Sequence, residues 1–248
     1  MCLIVFAWRP GHELPLVMAA NRDEFYARPS LPLAEWPDAP GLYGGRDMEA
    51  GGTWLGIGPH ARFAALTNIR DPRQPPRGRS RGELPVQFLR GELGPDAFLR
   101  ETAQRAGDYS GFNLLVGDRH ELWLLNSRTG VPEQLTAGLY GLSNAGLDTP
   151  WPKVEKGKAL LGECLPAPQV PSLLDLLHDG QQVEDAHLPD TGIGLATERL
   201  LSSIFIATHS YGTRASTVLL VKDDGSRTLV ERSYGPFGAH LNEVRIER

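Results

Sequence analysis

The sequence predicts an α+β fold built from antiparallel sheets, and three features of the 248-residue chain support this prediction. Strand-like segments follow one another through short turns, as in hairpins. Helix-like segments are grouped rather than alternating with strands. The resulting order is strands, helices, strands, helices, strands, which is typical of layered α+β domains, whereas strict alternation would indicate a parallel sheet. A hydrophobic content of 41% suits one domain over residues 1–248.

Two hairpins are predicted in the first third of the chain. The apolar runs Cys2–Trp8 and Leu16–Asn21 flank the turn sequence RPGHELP, and Pro-Gly pairs mark turns, so the runs should pair antiparallel. A second hairpin should join Thr53–Ile57 to Phe63–Thr67 through the sequence GPH. This hairpin would place Asn68 at a strand end, where a side chain can project into a cleft.

A segment rich in proline and arginine, Arg70–Arg81, separates these strands from the first helices. It has no apolar side chain other than proline, which predicts a surface loop. Its five arginines also suit a gate or an anion-attracting rim. Ser80 and Glu83 have the spacing of a capping box, so a helix should begin there. Residues Pro95–Ala106 should form the next helix.

The remaining elements are predicted from apolar runs that are bounded by turn residues. Strands are expected at Phe112–Val116, Glu121–Asn126, Leu139–Ser143, Ile204–Thr208, Ser216–Val221 and Thr228–Tyr234. Helices are expected at Val154–Leu161, Ser172–His178 and Thr197–Ser202. An Asp-Gly turn should join the last two strands. Because the first and last strands are strongly apolar, both should be central in the sheets.

Composition excludes several classes of function. The net charge of -5 disfavours a general nucleic-acid-binding protein, which would usually be basic. No apolar run approaches the ~18 residues that cross a bilayer, and CLIVFAW lacks the basic flank and cleavage site of a secretory signal. Two cysteines, Cys2 and Cys164, and seven scattered histidines predict neither a disulfide framework nor a resident metal. We therefore expect a cytoplasmic enzyme or binding protein, of undetermined oligomeric state.

The position of Cys2 allows a chemistry that a cysteine elsewhere in the chain could not perform. Removal of Met1, which precedes a small residue, would expose an α-amine with a pKa of about 7.7–8.0. This amine can act as general base toward the thiol of the same residue, so one residue supplies nucleophile and base. The alternative is that Cys2 is a small buried hydrophobic residue of an apolar strand.

The polar sequence Asn21-Arg22-Asp23-Glu24 ends the strand that should pair with the Cys2 strand, so the hairpin brings it towards the N-terminus. Because side chains alternate along a strand, Asn21 and Asp23 should share one face and Arg22 should point to the other. Asp23 is then the candidate to face Cys2 and hold its α-amine. The alternative is a polar strand exit that only forms a turn.

Three further polar residues lie at the edges of apolar runs. Asn68 and Asn144 carry amides that can donate to an oxyanion, and Arg214 can bind a substrate carboxylate or favour the thiolate. The alternatives are turn-forming strand ends for the asparagines and a surface strand position for the arginine. No sequence spacing connects these residues with Cys2, so their convergence is a prediction about the fold.

Six motifs spread over nearly the whole chain are distinctive: MCLIVFAW…AANRDEFYARP, GGTWLG, ALTNIRD, GLSNAGLDTPWPKVEKGK, LPDTGIGLATERLLSSIFI and YGTRASTVLLV. Together they resemble the NRDE family, also called the transport-and-Golgi-organisation-2 family. That family is similar to cysteine N-terminal-nucleophile (Ntn) hydrolases, particularly penicillin V acylase and bile-salt hydrolase. The resemblance implies a four-layer αββα sandwich with two stacked antiparallel sheets.

The resemblance also implies roles for individual residues. Cys2 matches the nucleophile, Asp23 the carboxylate near its amine, Asn68 and Asn144 the asparagines of the oxyanion and substrate region, and Arg214 the late arginine of that branch. Asn21, Arg22 and Trp54 are further candidates for substrate binding. The acylases carry an arginine three residues before the aspartate, where this chain has Ala20. Arg22 therefore has no matching role in tuning the thiolate.

Two main functions are compatible with these residues. The first is hydrolysis of a small nonpeptide amide or related acyl compound by the Cys2 thiolate, without a cofactor. The second, implied by the family's links to haem trafficking and lipid metabolism, is a noncatalytic carrier of haem or an acyl-lipid, with His209, Tyr211 or Cys2 as haem ligands. A protein–protein scaffold is a third alternative. The basic segment Arg70–Arg81 would suit an anionic ligand such as a coenzyme-A derivative.

Overall fold

The computed structural model describes residues 2–74 and 77–248, so the predicted removal of Met1 lies outside the described residues, as do Pro75 and Pro76 of the basic segment. Within them, the strands form two antiparallel sheets, of six and seven strands. The sheets stack face to face and carry helices on both outer sides. The predicted α+β sandwich with αββα layers is therefore confirmed.

The six-stranded sheet contains the N-terminal strand. Its strands, in spatial order, are β10 (Gly138–Leu142), β1 (Cys2–Trp8), β2 (Leu16–Phe25), β11 (Tyr211–Val221), β12 (Arg227–Tyr234) and β13 (His240–Glu247). The predicted pairing of the first two strands is confirmed, and β1 is central, as expected. The last strand of the chain, β13, was not predicted. It lies at the edge of the sheet, and only about every second one of its residues is partly buried.

The seven-stranded sheet follows the order of the chain. Its strands are β3 (Ser30–Trp36), β4 (Ala39–Asp47), β5 (Leu55–Ile57), β6 (Phe63–Asn68), β7 (Phe112–Gly117), β8 (Leu122–Asn126) and β9 (Pro132–Gln134). The β5–β6 hairpin and the position of Asn68 at its end are as predicted. Sequence analysis missed β3, β4 and β9, in which proline, glycine and exposed positions interrupt the apolar pattern.

The alternation of side chains along β1 shows how the layers are built. Ile4, Phe6 and Trp8 point into the core between the two sheets. Leu3 and Val5, on the other face, pack against the helical layer. Every residue of the strand is thus buried on one side or the other, which explains its unbroken apolar sequence.

Five α-helices are present among the described residues. The helices α1 (Glu83–Arg90) and α2 (Pro95–Gln104) cover the seven-stranded sheet through Phe88 and Leu99. On the opposite side, α3 (Pro152–Cys164) and α4 (Val170–Asp175) cover the six-stranded sheet, and α5 (Leu195–Leu200) precedes β11. No helix in the described ranges is long and apolar enough to span a membrane.

Two local predictions are wrong. The capping box does not form, because Gly82 is the N-cap of α1 and Glu83 instead pairs with Arg79 and accepts a hydrogen bond from Tyr109. The predicted strand Ile204–Thr208 is a buried irregular segment in which Ala207 forms one isolated bridge. Glu83 is engaged by residues outside the predicted capping box, and Ile204–Thr208 is buried as its apolar sequence suggests but is not a strand. In both cases contacts with distant parts of the chain determine the local backbone conformation.

Glu231 of β12 is a buried carboxyl in the core region between the sheets. It is 3% exposed and accepts hydrogen bonds from the backbone N–H of Leu33 (2.8 Å) and the hydroxyl of Thr217 (3.5 Å). Burial raises the pKa of Glu231 from 4.5 to about 7, against the opposing effect of the Arg22 guanidinium. The group is thus neutral in the folded protein at a pH where the unfolded chain ionises it.

This difference predicts a pH-dependent stability. The favourable contribution of neutral Glu231 is complete below pH 4.5 and is lost as the pH rises through 7, by about 3 kcal/mol in total. Glu231→Gln should remove this pH dependence. The free energy of unfolding of the variant, relative to that of wild type, should therefore increase by about 3 kcal/mol between pH 4.5 and pH 8. Urea unfolding at several pH values tests this. Parallel stability curves for the two proteins would contradict a raised pKa.

Candidate active site

Cys2 begins β1 at the end of the gap between the two sheets. It is two residues before Ile4, which lies in the inter-sheet core, so the thiol points to the same side. The side chain is 9% exposed and lines a cavity of about 420 Å³. A buried thiol at a cavity wall, at the N-terminal end of a central strand, is well placed for a nucleophile.

The register of β1 and β2 places Arg22, not Asp23, directly opposite Cys2. Directly opposed residues of an antiparallel pair project to the same face, so Arg22 shares the inter-sheet side with the thiol. Asn21 and Asp23 share the other face, as predicted. The prediction that Asp23 faces Cys2 while Arg22 points elsewhere is wrong, because alternation fixes relative faces but not the register of the pairing strand.

Asp23 nevertheless adjoins Cys2 through its backbone, whose N–H donates to the sulfur. Its buried carboxylate accepts a hydrogen bond from Thr213 at 2.7 Å, and the Thr213 hydroxyl in turn accepts one from the N–H of Ile206 at 3.0 Å. Burial raises the pKa of Asp23, and nearby Lys153 opposes this effect. The carboxylate is therefore held in a fixed position beside the N-terminal end of β1.

Lys153 is a buried cation that sequence analysis missed. It lies in the first turn of α3 and donates to the carbonyl of Leu201 at 2.9 Å. Burial lowers the pKa of Lys153 to about 8, while Asp23 opposes the shift. Neither Lys153 nor Thr213 carried a local sequence signal, because their relation to Asp23 depends on the packing of α3 and on the pairing of β2 with β11.

Asn144 holds the backbone nitrogen of Cys2. The Cys2 N–H donates to Asn144 Oδ1 at 3.1 Å, and Asn144 Nδ2 donates to the carbonyl of Asn68 at 2.7 Å. In a mature chain this nitrogen would be the α-amine. The amide of Asn144 is thus engaged at both ends, whereas the side chain of Asn68 lines the cavity. The structure therefore brings both predicted asparagines to Cys2 but gives them different positions.

A buried polar network fixes Asn144. The hydroxyl of Thr67 donates to the carbonyl of Ser143 at 2.9 Å. Asn113 Nδ2 donates to the Thr67 hydroxyl at 3.0 Å and to the same carbonyl at 3.2 Å. These contacts tie the end of β10 to the seven-stranded sheet. The residues that position Cys2 therefore come from both sheets.

The electrostatic environment of the thiol is mixed. Burial raises the pKa of Cys2, and the charge of Asp23 adds to this effect. The Arg22 guanidinium and the N–H of Asp23 act in the opposite direction. A free α-amine beside the thiol would supply the base that a buried neutral thiol requires.

Trp54 forms a wall of the cavity and is fixed from both sides. The guanidinium carbon of Arg22 lies 4.2 Å from its ring centroid. A Cβ at Gly45 would overlap the ring, so only glycine allows this close approach. Trp54 and Arg22, both predicted as candidates for substrate binding, thus form a stacked pair next to Cys2.

The basic segment divides into two parts. Arg77, Arg79 and Arg81 line the Cys2 cavity, which is the position expected of an anion-attracting rim. Arg70 is not on the surface, contrary to the prediction for this segment, because its side chain forms a buried ion pair with Glu198 at 2.7 Å. The proposal of a coenzyme-A-like ligand stays a prediction.

Two predicted residues lie in other surroundings. Arg214 occupies a bulge of β11 and donates to the carbonyls of Phe25 and Arg28. It lines a second cavity, of about 190 Å³, whose walls include Arg22 and Trp54 but not Cys2. Asn21 is buried towards the helical layer, where its amide donates to two backbone carbonyls at 2.8 Å. Both side chains stabilise backbone segments next to the site.

The three candidate haem ligands have different surroundings. Cys2 lies in the cavity wall, His209 is exposed and lies against the ring of Phe237, and Tyr211 packs edge-on against Phe25. Among residues 2–74 and 77–248, no group of three or more His, Cys, Asp or Glu side chains could hold a metal ion.

Comparison with known proteins identifies relatives over the whole length of the chain. The family model described as "Transport and Golgi organisation 2" matches residues 1–236. The mouse and human Transport and Golgi organization 2 homologues are each 37% identical over 260 residues, covering 94% of this chain and 93% of theirs. The Drosophila melanogaster protein of that name is 29% identical and covers 100% of this chain and 98% of its own.

One solved structure that resembles the fold is a Caenorhabditis elegans N-acylethanolamine-hydrolyzing acid amidase ortholog. It is 12% identical, with a TM-score of 0.41, and the match covers 88% of this chain and 92% of that one. A likeness at this level indicates nothing about substrate or mechanism.

Proposed function

This chain belongs to the transport and Golgi organisation 2 family, and we propose that it is a cysteine N-terminal-nucleophile amidohydrolase acting on a small nonpeptide amide or related acyl compound. One observation carries the proposal: the nitrogen of Cys2 is held by Asn144 at 3.1 Å while the thiol lines a cavity that is also lined by Asn68. This arrangement suits a residue whose α-amine and thiol act together.

The reaction would begin with transfer of the thiol proton to the α-amine of Cys2. The thiolate would then attack the carbonyl carbon and form a tetrahedral intermediate. The amide of Asn68 and a backbone N–H would donate to the developing oxyanion. The α-ammonium would return its proton to the leaving amine as the C–N bond breaks. Water, deprotonated by the same amine, would release the acyl group and restore the thiol.

Asp23 and Arg22 would support this cycle from two sides. The carboxylate of Asp23, fixed by Thr213, would stabilise the α-ammonium that forms when the thiol is deprotonated. The guanidinium of Arg22, on the same face as the thiol, would favour the thiolate. The buried setting strengthens both interactions, because charges interact more strongly where water is excluded.

Mass spectrometry of the purified protein tests the proposal. The intact mass should correspond to a chain that begins at Cys2. A reactive acyl probe such as p-nitrophenyl acetate should add one acyl group to wild type and none to Cys2→Ala. Cys164→Ala is the matched control, because Cys164 is half-buried at the end of α3, and it should be labelled like wild type. A retained Met1, or equal labelling of Cys2→Ala, would refute the mechanism.

A further inference from the structure

Arg22 is buried without the partners that a buried guanidinium normally has. It is 7% exposed, and its Nη1 atom is buried without a hydrogen-bond partner. The carboxylate of Glu24 lies 3.9 Å from Nη2, which is too long for a hydrogen bond. Removing a charge from water is costly unless hydrogen bonds and an opposite charge compensate for it. Glu24 and the buried Glu231, whose pKa Arg22 lowers, supply nearby acidic groups, but Nη1 of Arg22 still has no hydrogen-bond partner among the described residues.

Two other arginines show what compensation looks like in this protein. Arg28, on the rim of the Cys2 cavity, lies 2.8 Å from Asp47 and 2.9 Å from Glu49. Arg70, which is similarly buried, lies 2.7 Å from Glu198. Arg22 stands on the same cavity wall as Cys2, and its ion pair with Glu24, at 3.9 Å, is longer than these contacts, so a ligand carboxylate can make the short contact that Arg28 and Arg70 already have.

A second buried donor accompanies Arg22. Trp54 Nε1 is also buried without a hydrogen-bond partner, and the Trp54 ring is the surface on which the guanidinium lies. Both side chains line the cavity that contains Cys2. An indole N–H and a guanidinium can only donate hydrogen bonds, so the ligand group that satisfies them must be an acceptor.

The geometry of the guanidinium indicates which anion that acceptor is. The charges of Asp47 and Glu49 are compensated by Arg28, and Arg77, Arg79 and Arg81 line the same cavity, so its surroundings accept an anion. Guanidinium groups match the geometry of a carboxylate, which they bind through two parallel hydrogen bonds.

We propose that Arg22 and Trp54 bind a carboxylate of the substrate, so that the preferred substrate is an amide with a carboxylate close to the scissile carbonyl. Cys2 and Arg22 are directly opposed in the β1–β2 pair, where Cα atoms lie about 4.5–5.5 Å apart. Since both side chains also line one cavity, we expect the carboxylate within a few bonds of the carbon that the thiol attacks. This inference rests on the proposed function only in taking Cys2 as the attacking group.

Ligand binding to Cys2→Ala tests the inference without requiring hydrolysis. Calorimetry would compare N-acylglycines of two to ten acyl carbons with the corresponding N-acylglycinamides, which differ only in replacing carboxylate by neutral carboxamide. A second pair, N-butylsuccinamate and N-butylsuccinamide, places the carboxylate on the acyl side. We expect the carboxylate to bind at least 10-fold more tightly in one of the two pairs. No 10-fold preference in either pair would overturn the inference, as would tighter binding of phenyl phosphate.

Variants of the arginines identify the residue responsible. Arg22→Gln, in the Cys2→Ala background, should reduce the carboxylate preference to less than 3-fold. Its melting temperature should equal or exceed that of the parent, because a poorly compensated buried charge is removed. Arg28→Gln changes an arginine of the same rim that already has two acidic partners, and it should keep the preference. An unchanged preference in Arg22→Gln would overturn the assignment.

The outcomes separate this inference from the proposed function. Carboxylate-selective binding together with absence of acyl transfer in wild type would support the site and refute the hydrolase. Acyl transfer without carboxylate selectivity would do the reverse. The Cys2→Ala background also removes any effect of Arg22 on the thiol from the measurement.

Discussion

A chain in which two residues remain in front of Cys2 should lose acyl transfer by about 10²–10⁴-fold, the usual contribution of a general base. Insertion of Glu after Met1 produces such a chain, since methionine is retained before large residues. The thiol would still be present, but the nitrogen that Asn144 contacts would be a peptide nitrogen without a lone pair for the thiol proton. The rate of acetylation by p-nitrophenyl acetate at pH 7, followed by intact mass, measures the loss.

Two comparisons make this result specific to the amine. Cys2→Ala should show no acetylation at this site, which sets the background. Alkylation by iodoacetamide at pH 9.5 should label the extended chain at a rate near that of wild type, because solvent hydroxide replaces the amine as base. An extended chain that acetylates as fast as the processed one would show that the α-amine has no catalytic role, and Cys2 would then act as an ordinary thiol.

Much of the fold could be predicted because the local patterns agree with the final packing. Cys2–Trp8 has an unbroken apolar sequence because its two faces enter two different cores. The turn residues between it and Leu16 identified the hairpin. These two features were enough to bring Cys2 and the polar cluster of β2 to the same end of one sheet.

The arrangement of the site could not be predicted from those patterns. Cys2 and Arg22 face each other because of the register of the β1–β2 pair. A shift of one residue would place Arg22 on the other face of the sheet, and the turn sequence does not determine the register. The contact of Asp23 with Thr213 requires that β2 also pairs with β11, which is 190 residues away in sequence. Such long-range pairing has no local sequence signature.

Buried polar residues were the other source of error. Lys153 and Glu231 have residue types that are rarely buried, so composition favours an exposed position for both. Each is buried because a specific partner compensates: the Leu201 carbonyl for the lysine, and the Leu33 N–H for the glutamate. These partners become visible only when the layers are assembled.

Asn68→Ala and Asn144→Ala should both reduce turnover strongly, but through different steps. Asn68 has a side chain that lines the cavity, so its loss removes a donor to the oxyanion and should lower the acylation rate by about 10²–10³-fold. Alkylation of Cys2 by iodoacetamide forms no oxyanion and should keep its wild-type rate in this variant. Comparing acetylation and alkylation rates for each variant at pH 7 therefore separates the two roles.

Asn144→Ala should slow both reactions, because Asn144 Oδ1 holds the Cys2 nitrogen, the base of the proposed mechanism, and its Nδ2 fixes the end of β6. It should also lower stability by about 1–3 kcal/mol, since the Asn68 carbonyl loses its buried donor. Rates must accordingly be compared at a temperature where both variants are folded, as checked by circular dichroism. If Asn68→Ala slowed alkylation as much as acetylation, Asn68 would act on the reactivity of the thiol and not on the oxyanion. Wild-type alkylation of Asn144→Ala would mean that its contact with Cys2 does not orient the base.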